Sequence, residues 1–235
     1  MAIIYGNNTI RSTLKVNGVR KLFIAKGYSN KEILDLALKS KIDITYCEKR
    51  ELDRITNNGI HQGIVGEVKN IETYSLSSLI EASKKVTNPI IVMLDELNDP
   101  HNLGAILRSG DAFNISGIVF KSRGQVSLND TVAKVSTGAI NYVKCCQVTN
   151  LSQSIVALKK EGFWVVGLDG GVNETLKDVP TNVPLVVVVG SEGYGISRLV
   201  KENCDLIVKI PMLGHVNCLN ASVACSIALY AIRNR

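Results

Sequence analysis

Apolar and polar positions along this chain switch repeatedly between a period near two and a period near 3.6. Val19, Leu22, Phe23 and Ile24 mark a strand over Arg20–Ala25. Behind Ser29, a residue that accepts hydrogen bonds from the first N–H groups of a helix, Ile33, Leu34, Leu36, Ala37 and Leu38 form a helical stripe. Ile42–Cys47 alternates as a strand, and Glu48–Thr56 reads as a short helix ended by Asn57-Asn58-Gly59. Gln62–Lys69 is a further strand, and residues 1–14 read as a loop entering a short helix. This β-α-β-α-β order predicts a small α/β domain over residues 1–70.

Residues 71–88, with Ser75-Leu-Ser-Ser78 and Lys84-Lys85, read as a linker containing a short helix. A second domain is expected over 89–235, from Asn88-Pro89 onward. Its strands are 90–94, 117–120, 143–148, 163–168 and 184–189, with helices at 102–113, 130–140 and 151–161. Segments 195–203, 206–210 and 220–232 follow, the last a helix rich in small residues. Alternation of this kind predicts a parallel sheet covered by helices. Leu185–Val189 is a continuous apolar, mostly β-branched run, as expected of a strand buried on both faces. It ends in Gly190-Ser-Glu192-Gly193-Tyr-Gly195, where glycine lets the chain turn sharply and lets a ligand approach bare main chain. The glycine order, and its place late in the chain, differ from the dinucleotide fingerprint G-x-G-x-x-G. Glu192 is a carboxylate where packing requires none.

Composition narrows the classes. Apolar residues make up 46% of the chain, enough for a real core, and no apolar run approaches the length of a membrane span. The first residues lack a signal-peptide pattern, so a cytoplasmic protein with no membrane partner is expected. The cysteines at 47, 145, 146, 204, 218 and 225 form no C-x-x-C pair and only three histidines accompany them, which argues against zinc and for reduced thiols. Asp95, Glu96 and Asp99 resemble a magnesium cluster, but capping the helix that follows is the preferred reading, and no metal is expected. Residues 1–88 carry 14 Lys+Arg against 9 Asp+Glu, a net of +5, whereas 89–235 carry 13 against 12, a net of +1. A phosphate-backbone partner for the first domain would explain the excess; ordinary solubility charge is the alternative. His61 has no acid or nucleophile beside it and reads as part of a turn, or as a contact to a phosphate-backbone partner, rather than as a base.

Three ordered blocks carry a resemblance. They are Asp95-Glu-Leu-Asn-Asp99-Pro100-His-Asn102-Leu-Gly104-Ala-Ile-Leu-Arg108, the Gly190–Gly195 turn, and Ile210-Pro211-Met212 with Gly214-His-Val-Asn-Cys218-Leu219-Asn220. Together they resemble the SpoU (TrmH-type) family of RNA ribose 2′-O-methyltransferases, strongly over 89–235 and more loosely before it. The resemblance implies an L30e-like substrate-binding domain over 1–70 and a trefoil-knotted, SPOUT-type methyltransferase domain that holds S-adenosylmethionine at the knot and forms a homodimer. It implies catalytic roles for Arg108, Asn102, Glu192, Asn220 and the Cys218 position. Cofactor contacts are implied at Thr137, Gly138, Gly190, Glu192, Gly193, Ile210, Met212, Cys218, Leu219 and Asn220. Asn102 also reads as a plain N-cap, and Arg108 as a surface ion pair. Where the family usually carries serine this chain has Cys218, a weaker hydrogen-bonding group. The domain order is similar to that of bacterial enzymes that methylate a guanosine of 23S ribosomal RNA. Transfer RNA is the rival substrate. A non-catalytic RNA-binding protein and a small-molecule α/β enzyme are further alternatives, the last leaving the basic first domain unexplained.

Overall fold

The computed structural model describes residues 3–15, 18–68, 72–216 and 218–235. The chain divides into two compact units, Met1–Ile71 and Glu72–Arg235. The first contains β1 (Ile3–Tyr5), α1 (Asn7–Lys15), β2 (Val19–Ala25), α2 (Lys31–Lys39), β3 (Asp43–Cys47), α3 (Lys49–Ile55) and β4 (Ile64–Val68). The sheet order is β1-β4-β2-β3, with β2 and β3 parallel and β4 antiparallel to both of its neighbours. Successive side chains of a strand point to opposite faces. Ile64 therefore enters the core with Ile10, Leu14, Ile33 and Ala37 of α1 and α2, while Val65 packs against Leu52 of α3. Ile3–Tyr5 was expected to be loop. Three residues give too short a pattern to read, and their pairing partner lies about sixty positions later. Helix α2 is capped by Asn30 rather than Ser29, its Oδ1 accepting from Ile33 N at 3.3 Å. The strand expected to run to Lys69 is described to Val68; Lys69, Asn70 and Ile71 lie outside the described residues.

The second unit holds β5 (Thr73–Tyr74), α4 (Leu76–Ser83), β6 (Ile90–Leu94), α5 (Pro100–Ala112), β7 (Gly117–Lys121), α6 (Asp130–Val135), β8 (Lys144–Val148), α7 (Leu151–Lys160), β9 (Trp164–Leu168), β10 (Leu185–Val189), α8 (Arg198–Glu202), β11 (Leu206–Val208) and α9 (Ala221–Arg233). Its seven strands are ordered β11-β9-β10-β6-β7-β8-β5, and every pair is parallel. Both faces are covered, as an all-parallel sheet requires. Ile90, Val92 and Leu94 of β6 face α5 and α9, while Ile91 and Met93 face α4 and α7. All five residues of β10 are buried, each worth about 1.5–3 kcal/mol relative to exposure.

Residues 72–88, expected to act as a linker, carry structure that belongs to this unit. Thr73 and Tyr74 pair with Cys145 and Cys146 of β8, and Leu79 and Ile80 of α4 enter the core. The helix expected from 102 starts at Pro100, because Asp99 caps it and proline suits the first helical position. The helix expected over 130–140 breaks at Thr137 and Gly138, with φ of 50° and 97°, and resumes as a single 3₁₀ turn over Ala139–Asn141. No helix among the described residues is long and apolar enough to cross a membrane.

Candidate active site

Strand order reverses between β6 and β10: the chain runs outward through β7 and β8 on one side, and β9 and β11 lie on the other. The crevice beyond the carboxyl ends of strands at such a switch point is where open parallel sheets hold ligands. Three polar side chains meet there. Asn102, in the first turn of α5 and 5% exposed, donates through Nδ2 to Glu192 Oε1 at 2.8 Å. Asn220 Nδ2 donates to Asn102 Oδ1 at 2.9 Å and to the same Glu192 oxygen at 2.5 Å. The Oδ1 of Asn220 caps α9, accepting from Ser222 N at 2.9 Å, Ser222 Oγ at 2.6 Å and Val223 N at 3.3 Å. Both carboxamides thus have donor and acceptor ends engaged, and the network itself orients them. Both readings of Asn102 are resolved locally: Asp99 is the N-cap, accepting from His101 N at 2.8 Å, and Asn102 is free to serve the cluster.

The turn that carries Glu192 is held from within and from below. Ser191 and Gly195 exchange two main-chain hydrogen bonds, each of 3.0 Å, leaving Glu192-Gly193-Tyr194 at the tip. A Cβ on Gly190 would lie 2.2 Å from the Gly195 carbonyl carbon, so only glycine lets the turn close. Below it, fully buried Asp95 accepts from Ser197 N at 2.8 Å through Oδ2 and faces Lys121 Nζ at 3.5 Å through Oδ1. Asp95 and Asp99 therefore organise loop and helix ends. Among the described residues no group of three His, Cys, Asp or Glu is disposed to hold a metal.

The sequence reading missed the loop after β9. Asp169 Oδ2 lies 3.6 Å from where a Gly195 Cβ would stand, and it accepts from Lys201 Nζ at 2.8 Å. Burial pushes the Asp169 carboxyl up, but the Lys201 bond and charge and the N–H groups of Gly171 and Gly170 together hold it below the usual carboxylate range. The signal was present: Asp169-Gly170-Gly171 ends a buried strand just as Gly190 does.

The other candidates differ in exposure. Ile210, Met212 and Leu219 are half-buried, Gly193, Thr137 and Cys218 are exposed, and Gly138 is buried in the break after α6. The main chain of residues 212–216 donates no hydrogen bond to any described residue. Arg108 is exposed on α5 and makes no ion pair or hydrogen bond with a described residue. It lies six residues beyond Asn102, ~9 Å along the helix axis and on another face. Within the chain it does not join the Asn102–Glu192–Asn220 cluster. The surface ion pair considered for it is absent among the described residues. Desolvation holds four thiols protonated, buried Cys146 at about 11, buried Cys145 and Cys225 at about 12, and half-buried Cys204 at about 12.

His61, in the first unit, corrects one reading. An acid does stand beside it: Asp53 Oδ1 of α3, at 2.9 Å from Nε2. The Gly63 N–H donates to Nδ1 at 3.0 Å, so Nε2 carries the proton toward Asp53. The ring is 3% exposed and braces the turn.

A family model for the SpoU rRNA methylase family matches residues 89–230, and one for RNA 2′-O ribose methyltransferase substrate binding matches residues 3–74. The chain belongs to the SpoU family. It is an RNA methyltransferase. YacO of Bacillus subtilis, assigned to the TrmH family of tRNA/rRNA methyltransferases, is 42% identical over 97% of this chain and 94% of its own. Among solved structures, the SpoU methyltransferase AviRb of Streptomyces viridochromogenes in complex with AdoMet superposes with a TM-score of 0.76, at 20% identity, over 99% of this chain and 89% of that one. The TrmH/SpoU tRNA-modifying enzyme of A. aeolicus is 29% identical with a TM-score of 0.58, over 68% and 81% of the two chains.

The SpoU site fits a nucleoside-bearing methyl donor. Main-chain N–H groups of 212–216 that meet no described acceptor are available to a purine edge, whereas Gly190 is buried against the Gly195 main chain. The second oxygen of Glu192 has no partner among the described residues.

Proposed function

We propose that this SpoU-family chain transfers a methyl group from S-adenosylmethionine to a ribose 2′-OH in RNA, a guanosine of 23S ribosomal RNA being the intended substrate, in the cytoplasm. The observation that carries this reading is the Asn102–Glu192–Asn220 cluster at the carboxyl ends of β6 and β10. When bound, S-adenosylmethionine supplies a methyl group already activated on a sulfonium. The backbone of Gly190, Gly193, Ile210, Met212 and Leu219, together with Thr137, Gly138 and Cys218, holds that donor. Glu192 faces the reacting end, and Asn102 and Asn220 fix its carboxylate so that no reorganisation is needed at the moment of reaction.

Arg108 grips the phosphate beside the target ribose and orients its hydroxyl. A guanidinium keeps its proton far above neutral pH, so its role is a charged fork and not a base. Its place on another face of α5 from Asn102 supports a site in which the arginine of one subunit serves another. A homodimer through α5 and α9 is supported by the exposed apolar stripe Val223, Ile227 and Tyr230 on α9. The first unit, residues 1–70, holds the RNA. In the second, the C-terminal segment threads the loop before it as a trefoil knot around the donor.

Transfer of labelled methyl to unmodified ribosomal and transfer RNA, with Arg108→Ala as control, tests this. Alkali-resistant label at one 23S position, falling at least 100-fold in the variant while donor binding is kept, is the expected result. Label only in transfer RNA would reassign the substrate, and donor binding without label in either RNA would overturn the catalytic reading.

A further inference from the structure

Among the described cations of the first unit, four have local partners. Arg11 pairs with Glu32 at 3.0 Å, Arg20 with Glu67 at 3.4 Å and Lys26 with Glu48 at 2.7 Å, and Lys21 lies over the Phe23 ring. Lys15, Lys31, Lys39, Lys41 and Lys49 have none with a described residue, and nor do Arg50 and Arg54, but only the two arginines line a common depression. They stand one turn apart on α3, both exposed, and neither makes an ion pair or hydrogen bond with a described residue, although Glu48 and Glu51 are close in sequence. With Asp53, Asn57 and Asn58 they line an open depression of ≈ 500 Å³. That volume is in the range of nucleotide-sized clefts. Asn57 and Asn58 are both left-handed, with φ of 51° and 61°, and their main-chain N–H groups are spent closing the helix on Arg54 and Asp53. Their side-chain amides make no hydrogen bond with a described residue.

Two features beside the arginines speak for a nucleotide over a bare anion. Asp53 would repel a free phosphate, but its Oδ1 is engaged by His61, and its other oxygen is an acceptor suited to a base N–H. Next to Asn58, Gly59 has no side chain, and a Cβ there would lie 2.7 Å from the Tyr5 ring. Tyr5 is 39% exposed and Ile60 84% exposed, so apolar surface is exposed beside Gly59. Unpaired guanidiniums with adjoining amides and an aromatic face are the means by which proteins hold unpaired RNA.

We propose that the depression formed by Arg50, Asp53, Arg54, Asn57 and Asn58 docks a single-stranded segment of the substrate RNA, its phosphates on the two arginines and one base edge toward Asp53 and the asparagine amides. This rests on the reading of the first unit as the RNA-holding part of the enzyme.

The test uses the full chain and an unmodified transcript of 23S ribosomal RNA, with binding measured across a salt series. Each phosphate contact on a single strand contributes about 0.7 to the slope of log K against log salt. The double variant R50A/R54A is expected to lower that slope by about 1.4 and the affinity at low salt roughly 10-fold or more. R50K/R54K should keep the slope, and thermal melting and donor binding should match the unaltered protein. K31A/K39A, on α2, serves as the charge-matched control. An R50A/R54A slope and affinity equal to those of K31A/K39A would overturn the docking site while leaving the unaltered protein an RNA binder. Failure of the unaltered protein to bind the transcript would overturn both the site and the reading beneath it.

Discussion

At the scale of single residues, the site depends on which polar atoms are already spoken for. Asn102 is nearly buried, and a buried carboxamide is tolerated because both its ends are bonded. Glu192 and Asn220 could be named from the sequence through the family's motifs, but that all three share one hydrogen-bonded cluster could not. Cys218 stands apart from the other cysteines. It is exposed, whereas Cys145, Cys146, Cys204 and Cys225 are shielded and protonated by burial. Brief alkylation of the native protein at pH 8 is therefore expected to label Cys218 first, read by peptide mass mapping. Labelling of Cys225 at the same rate would contradict the packing of α9. Cys218→Ser should raise methyl transfer by a few-fold, since a hydroxyl is the stronger hydrogen-bonding group; unchanged kinetics would remove that position from the reaction.

At the scale of elements, loops and helix ends decide what the strands can present. The β10 strand was legible because five consecutive apolar, mostly β-branched residues leave no other reading. Its closure into a turn was not, since the close approach of Gly190 to Gly195 is a contact between main-chain atoms, which leaves no mark in hydrophobic periodicity. Gly190→Ala is expected to cost about 3 kcal/mol or more, as overpacking against main chain cannot be relieved by a rotamer change. Urea unfolding would measure it, and a change below about 1 kcal/mol would show that the turn has room to open. Gly104 belongs to the same class: a Cβ there would lie 2.6 Å from Val135 Cβ, so the glycine of the first motif block serves the close packing of α5 on α6. The linker expected at 71–88 does contain its short helix, α4, but β5 before it could not be foreseen, for a related reason. Two residues of β5 carry no pattern, and only the edge of β8 gives them a place.

At the scale of a whole folded unit, one side chain ties the end of the second unit to its centre. Arg233 donates through Nε to Phe113 O at 3.0 Å, through Nη1 to Asn88 O at 2.9 Å and through Nη2 to Asn114 O at 2.8 Å. One guanidinium thus joins the end of α9 to the entry of β6 and the exit of α5. Arg233→Ala should destabilise the second unit by about 2–4 kcal/mol, because three carbonyls lose charge-assisted partners at once. A shift in urea midpoint equivalent to less than about 0.5 kcal/mol would assign the contact to the surface and not to the fold. Hydrophobic periodicity by itself determined the α/β class, the buried strands and most helices, because burial on one or two faces writes a repeat into local sequence. The motif blocks determined the family. Tertiary structure alone decided the strand order, the reversal between β6 and β10, the partner of His61, the place of Asp169 and the meeting of residues 102, 192 and 220. Each of those depends on contacts between segments far apart in the chain, and no local pattern records which distant segment will be the neighbour.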